Sequence, residues 1–301
     1  MSSPQAFWST EAFGKWILAG EHAVLRGSPA LVFPVFGKSL KLSFAETTKP
    51  LTAEFAGEHG NELHLLFWGV VEKALEIVGH NRNELTGHFS ISSTVPVGAG
   101  LGASATLCVS VGKWLVSRDW ISEGELYEFS RQLENLFHGE SSGVDIAVAI
   151  SSKGLHFERS GLRYELVPTW KPGWYISYSG KRGVTSECVA KVKALWARNR
   201  AEGEKIDQMM RESVALGEEA LKMDQSPAAL NQLAQSITKA RECFDRWQLT
   251  EGECGKHLQL LERSGAIAVK PTGSGGGGYA LSLWDKEPPA DLSPILISLN
   301  R

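Results

Sequence analysis

Hydrophobic and polar positions along the chain follow two rhythms, and these lay out its elements. Phe13 to Ala19 is nearly all apolar and predicts a short strand that Gly20 breaks. Ala23 to Val35 predicts strand, a turn at Arg26-Gly27-Ser28-Pro29, and strand again, and Ser39 to Phe44 alternates like a half-buried strand. Glu62 to Val78 changes to helical spacing (Leu65, Leu66, Val70, Val71, Leu75, Val78) and meets a stop signal at Gly79. His88 to Val95 reads as strand, and Ala105 to about Ser117 as helix. Ser122-Glu123-Gly124-Glu125 has the form of a capping box opening a helix to about Phe137. Gly154 to Glu158 and Tyr164 to Val167 predict a hairpin, and Trp174 to Ser179 one more strand. A long helical region runs from Thr185 to about Leu249, followed by a helix capped at Thr250 with Glu253 three residues later. The strands Ala266 to Lys270 and Tyr279 to Trp284 flank the loop Pro271 to Gly278. Pro168, Pro172 and Gly173 place a domain boundary near residue 168, dividing the chain into 1–168 and 169–301.

A chain of 301 residues, 43% hydrophobic and 22% charged, has material for two domains or one large one. The net charge of −3, with no basic block, argues against a general nucleic-acid or membrane-surface binder. The four cysteines form no C-x-x-C pair, so neither a zinc site nor a disulfide framework is expected. Met1 to Trp8 lacks the features of a signal peptide, and no apolar run approaches a membrane span. A cytoplasmic protein is expected.

Between the strand ending at Val95 and the following helix lies Pro96-Val97-Gly98-Ala99-Gly100-Leu101-Gly102-Ala103-Ser104. Three glycines in five positions let backbone N–H groups approach a ligand closely. The helix dipole adds positive charge at the same end, so the natural guest is a phosphate. Gly98-x-Gly100-x-x-Ala103 also fits a dinucleotide fingerprint with Asp119 as its acid, but the helix leaves no room for the second strand that acid should end. The P-loop signature G-x-x-x-x-G-K-[ST] is absent, as are the protein-kinase signatures H-R-D and D-F-G. A second cluster, Lys270 to Gly278, has five glycines in six positions between two strands, which suits close backbone approach better than a linker.

Two carboxylates stand out. Glu134 lies late in a helix, and Asp145 follows a Ser-Ser-Gly turn at a helix start; a solvated helix face and a simple cap are the plain alternatives. Phosphoryl transfer needs a carboxylate on Mg²⁺ and another group near the attacking hydroxyl, which this pair can supply. Gly139-Glu140-Ser141-Ser142-Gly143 formally matches the serine-hydrolase elbow G-x-S-x-G, yet a helix rather than a strand precedes it. A regulator that only binds nucleotide is the other competitor, and it would not need the acidic and lysine positions. Lys15, Glu21 and His22 carry little weight singly and gain it only as an ensemble.

Together these residues resemble the three signature motifs of the GHMP kinase superfamily. The motifs are similar to Gly14 through Gly27, Pro96 through Ala105, and Lys270 through Gly278, in the family's order. His138-Gly139-x-x-Ser142-Gly143-x-Asp145, with Glu134 eleven residues before the aspartate, resembles the mevalonate kinase branch most. The resemblance implies an α+β, two-domain GHMP kinase architecture: an N-terminal ATP-binding domain like ribosomal protein S5 domain 2, and a ferredoxin-like C-terminal domain. It implies Mg²⁺ on Ser104 and Glu134, and ATP phosphates cradled by Pro96, Gly98, Ala99, Gly100, Leu101, Gly102, Ala103, Ser104 and Ala105. Asp145 would be the catalytic base or orienting group, paired with Lys15. Glu21, His22, Arg182, Thr185, Gly275 and Gly276 would join them in binding the acceptor. The implied reaction is ATP- and Mg²⁺-dependent phosphorylation of a small-molecule hydroxyl, (R)-mevalonate to 5-phosphomevalonate.

Ala103 departs from the motif's usual serine, Ser274 from an alanine and Tyr279 from a cysteine, none in a position that looks disabling. His22 after Glu21 and the run Gly275 to Gly278 favour mevalonate over phosphomevalonate as acceptor. A phosphorylated acceptor would want extra cations, which Lys181 and Arg182 offer. Ten tryptophans suit a homodimer interface or a packed core equally well.

Overall fold

The computed structural model describes residues 7–138 and 141–300. Gly139 and Glu140 of the elbow match, and the first six residues of the N-terminus, lie outside the described residues. The chain is α+β and forms two compact units whose segments interleave in sequence.

The first unit takes in residues up to Lys15, Pro34–Val97 and Gly102–Ser152. Its sheet is built from the leading part of β1 (Phe7–Ala19), most of β2 (Ala30–Pro50), β3 (Thr52–Ala56) and β4 (Thr86–Ser93). β2 and β4 pair antiparallel from Leu40↔Ser93 to Ala45↔His88, β3 adds parallel to β4, and β1 pairs with β2. The alternation in β2 turns Leu40, Leu42 and Phe44 into a core with Phe89 and Ile91, against α1 (His64–Ile77) and α2 (Ala103–Ser117). Phe89 meets Phe44 at 4.8 Å and Trp114 of α2 at 4.9 Å between ring centroids. α2 is buried almost throughout, so its polar residues bond internally: Thr106 donates to the Ala103 carbonyl and Ser110 to that of Thr106. α3 (Leu126–His138) and α4 (Val144–Ser151) complete the layer through Leu133 and Ile146.

The second unit takes in Trp16–Phe33, Gly98–Leu101 and Lys153 onward. The hairpin β5 (Leu155–Phe157) and β6 (Arg163–Glu165) pairs with the start of β2, Ala30 opposite Phe157. A separate antiparallel sheet has the order β10-β7-β9-β8, from β7 (Gly173–Tyr178), β8 (Ala268–Thr272), β9 (Tyr279–Trp284) and β10 (Leu296–Ser298). Four helices belong with it: α5 (Thr185–Arg198), α6 (Arg200–Lys222), α7 (Pro227–Arg246) and α8 (Glu253–Arg263). α6 and α7 are in close contact where Ser213 and Ser236 each donate a hydroxyl to the other's carbonyl at 2.7 Å.

Several sequence expectations need correction. Ala23–Arg26 is a 3₁₀ turn, not strand, because Gly20 and Gly27 bracket it with positive φ angles and Gly27 N–H closes back on Val24. The capping box at Thr250 does not form: α8 is entered through Gly252, and the Thr250 hydroxyl donates to Asp245 instead. Half of the box at Ser122 is made, with Glu125 accepting the Ser122 N–H at 2.8 Å. β3 and β10, five and three residues long, carried no clear signal. Six of the ten tryptophans are buried and four (Trp8, Trp68, Trp120 and Trp196) are partly exposed. Among the described residues no helix is long and apolar enough to cross a membrane.

Candidate active site

In the first unit Lys15 is buried in β1 and Asp145 stands in the first turn of α4, with Lys15 Nζ 3.2 Å from Asp145 Oδ2. Lys15 is almost fully buried, whereas about a quarter of Asp145 (23%) reaches solvent, as a group working on a substrate must. Gly102 starts α2 beside this pair with a φ of +77°. A Cβ there would come within 3.3 Å of both Asp145 Oδ2 and Lys15 Cγ, so the helix start can approach the pair this closely only as glycine.

Glu134 of α3 is buried, and it accepts the hydroxyls of Ser141 and Ser104. Burial, and then the negative charge of Asp145, push its carboxyl up to about 8, against the pull of Ser141, Lys15 and Ser104. Two carboxylates in one poorly solvated place call for a cation beyond Lys15. Ser141, absent from the expected site, is fixed by its N–H on Asn135 Oδ1 at 2.9 Å, and its oxygen accepts from Gly143 N–H at 3.0 Å. Its hydroxyl proton is committed to a carboxylate, which removes the hydrolase role its sequence position suggested. In sequence it is marked only as the central serine of the elbow match and the first of the Ser-Ser-Gly turn.

Of the expected phosphate-cradle residues, Pro96 and Gly102 to Ala105 belong to the first unit and Gly98 to Leu101 to the second. Within the second, Gly98 is exposed and a Cβ on it would lie 3.7 Å from Cδ of Arg182. The two glycine clusters press together there, since a Cβ on Gly278 would stand 2.5 Å from the Ala99 carbonyl oxygen. Thr185 and Ser274 approach at 3.3 Å between hydroxyls, and Gly276 N–H donates to Leu249 at 2.8 Å. Gly275 is buried against Phe244 and Leu249.

Glu21 and His22 also lie in the second unit, and both are buried. Glu21 is engaged by Lys270, itself fully buried, whose ammonium also donates to the Ile17 carbonyl at 3.1 Å. Thr272 accepts the Ile17 N–H at 2.8 Å, so the first and third motifs are tied together. His22 adopts an unusual backbone, φ 54° and ψ −45°. Its Nε2 lies 2.9 Å from the Ser274 carbonyl, which can only accept, so Nε2 carries the proton. Burial between the rings of Trp247 and Phe244 pushes its pKa down to about 4, leaving a neutral imidazole. The partners Lys270 and Thr272 were missed as functional residues, although the K-x-T-G spacing contained them.

Residues 66–153 match the sequence profile described as GHMP kinases N terminal domain. Mevalonate kinase of Thermococcus onnurineus is 29% identical over 298 residues, covering 89% of this chain and 87% of that protein. The crystal structure of L. major mevalonate kinase in complex with R-mevalonate superposes with a TM-score of 0.78 at 18% identity, over 95% of this chain and 91% of that one. Streptococcus pneumoniae phosphomevalonate kinase, in complex with phosphomevalonate and AMPPNP, gives 0.71 at 17% identity over 93% of each. At such identities these two likenesses establish the fold. Residues 66–153 are thus similar to a GHMP kinase N-terminal domain, the chain shares the fold of these kinases, and over most of its length it is similar to mevalonate kinases.

Proposed function

We propose that this protein is a mevalonate kinase, transferring the γ-phosphoryl group of ATP to the hydroxyl of (R)-mevalonate to give 5-phosphomevalonate. The similarity to curated mevalonate kinases along most of the chain supports the substrate, and the Lys15–Asp145 pair carries the chemistry. Phosphoryl transfer asks a protein for positioning and charge stabilisation more than for covalent steps. Asp145 orients the acceptor hydroxyl and receives its proton. Lys15, 3.2 Å away, sets positive charge where the alkoxide and the transferring phosphoryl develop negative charge. The N–H groups opening α2 after Gly102 hold phosphate oxygens.

Glu134 and Ser104 fit a Mg²⁺ ion: one is a buried carboxylate whose ionisation is disfavoured by burial and by Asp145, the other a hydroxyl bonded to it. A carboxylate and a hydroxyl suffice for a metal that takes few protein ligands and several phosphate oxygens. When bound, Mg²⁺ neutralises charge on the phosphates. Glu21, His22, Arg182, Thr185, Gly275 and Gly276 are proposed around the acceptor, Glu21 acting through Lys270 rather than by direct contact. The proposal includes the sequence division at 168. Four buried cysteines, none in a disulfide, agree with a reducing cytoplasmic compartment.

A coupled ADP-release assay with ATP and Mg²⁺ tests this, comparing (R)-mevalonate, 5-phosphomevalonate, galactose and homoserine. Turnover with mevalonate above the rest is expected. Turnover restricted to 5-phosphomevalonate would overturn the acceptor and assign Lys181 and Arg182 to its phosphate.

A further inference from the structure

The turn between Gly20 and Gly27, which carries Glu21 and His22, is gripped from α6 by a contact that no motif marks. Arg26 closes the turn, and its guanidinium forms a two-pronged pair with Asp207: Nε to Oδ2 and Nη2 to Oδ1, each 2.6 Å. Asp207 is 1% exposed and lies 181 residues away in sequence. Trp196 of α5 covers the guanidinium at 5.1 Å, and Arg211, one turn along α6 from Asp207, donates to Ser28 Oγ at 3.0 Å. All these residues belong to the second unit. A surface ion pair would need neither a fork geometry nor a buried carboxylate. This one fastens a short 3₁₀ turn whose leading residue, His22, keeps a backbone conformation that a non-glycine residue rarely adopts. Such strain persists only where the surroundings over-determine it, and here the surroundings are Ser274 on one side and Arg26–Asp207 on the other.

We infer that Asp207 is a positioning residue for acceptor selection: through Arg26 it holds the Gly20–Gly27 turn so that His22 keeps its orientation toward the acceptor. The inference rests on the proposed role of His22 at the acceptor. It also means that the guanidinium nearest His22 in sequence does not bind an acceptor carboxylate, because Asp207 occupies its fork.

The test compares the full-length wild type with Asp207→Asn, Arg26→Lys and a control, Glu204→Gln, on the exposed face of the same helix. Asp207→Asn should raise KM for (R)-mevalonate by about tenfold, the worth of a charge-assisted hydrogen bond, and leave KM for ATP and the control unchanged. Arg26→Lys keeps the charge, loses the fork and should lie between. Should Asp207→Asn fail to fold, Arg26→Lys carries the test. A second readout needs no turnover: the imidazole resonance of His22, assigned with His22→Gln and followed by NMR against pH. If the turn is released, His22 in Asp207→Asn rises toward ordinary histidine titration. If the turn is merely stripped of a nearby negative charge, His22 moves lower still, because Asp207 now favours the charged ring. A lower or unmoved His22, or an equal rise in KM for both substrates, overturns the inference. Silence of the wild type on mevalonate would instead defeat the proposed function and leave the His22 readout to decide the positioning role.

Discussion

Replacing Lys270 by methionine preserves volume but removes the positive charge from a fully buried place. The Glu21 carboxylate, 2% exposed, then lies in the protein interior without that counter-charge. It has two ways out, burial as an anion or protonation, and the cheaper sets the cost. An ordinary glutamate, titrating near 4.3, costs about 4 kcal/mol to protonate at pH 7 but only about 1 kcal/mol at pH 5. That is within the range of about 3–5 kcal/mol for breaking a buried ion pair from one side. Loss of the hydrogen bond to the Ile17 carbonyl adds about 1 kcal/mol at either pH. Lys270→Met should therefore destabilise by about 5 kcal/mol at pH 7 and about 2 kcal/mol at pH 5. Glu21→Gln/Lys270→Met has no charge to strand and should lose about 1–2 kcal/mol at both. Urea unfolding followed by tryptophan fluorescence reads these differences directly, since every tryptophan is at least partly buried. A Lys270→Met penalty equal at the two pH values would refute the argument. So would a double variant no more stable than the single one.

Three other outcomes follow from the site. Asp145→Asn should lower kcat by about a thousandfold, the scale of general acid–base catalysis, with ATP affinity measured by calorimetry nearly intact; near-normal kcat would remove its assigned role. Ser104→Ala should raise the Mg²⁺ concentration needed for half-maximal rate and weaken Mn²⁺ binding seen by electron paramagnetic resonance, and unchanged metal dependence would count against it as a ligand. His22 is neutral in the fold down to about pH 4 and titrates at 6.5 when unfolded. The unfolded chain therefore binds the extra proton between those values, and stability falls as pH drops through them. The loss should reach about 2 kcal/mol between pH 7 and pH 5, and His22→Gln should lack this component. Equal pH slopes for the two proteins would show that His22 is not held neutral.

What could be seen in the sequence is what depends on neighbours in the chain. The glycine-rich entry to α2, the start of α4 at Asp145 and the strands on either side of the second glycine cluster all follow from local spacing, and they lie where expected. The turn at Ala23–Arg26 misled because its apolar run reads as a strand, while its conformation is decided by the glycines at either end. β10 is three residues long and takes its place from pairing with β7, which no local pattern records. The site divides the same way. Lys15 and Asp145 were named by motif and meet, yet the partners that decide how other motif residues work come from far along the chain: Lys270 for Glu21 and Asp207 for Arg26. Glu21 shows why this matters. A glutamate beside a histidine in a motif is equally consistent with touching the acceptor and with bracing the turn that does. Burial beside a lysine 249 residues away favours the bracing role, because a carboxylate engaged there has little to offer a polar substrate without first giving up its partner.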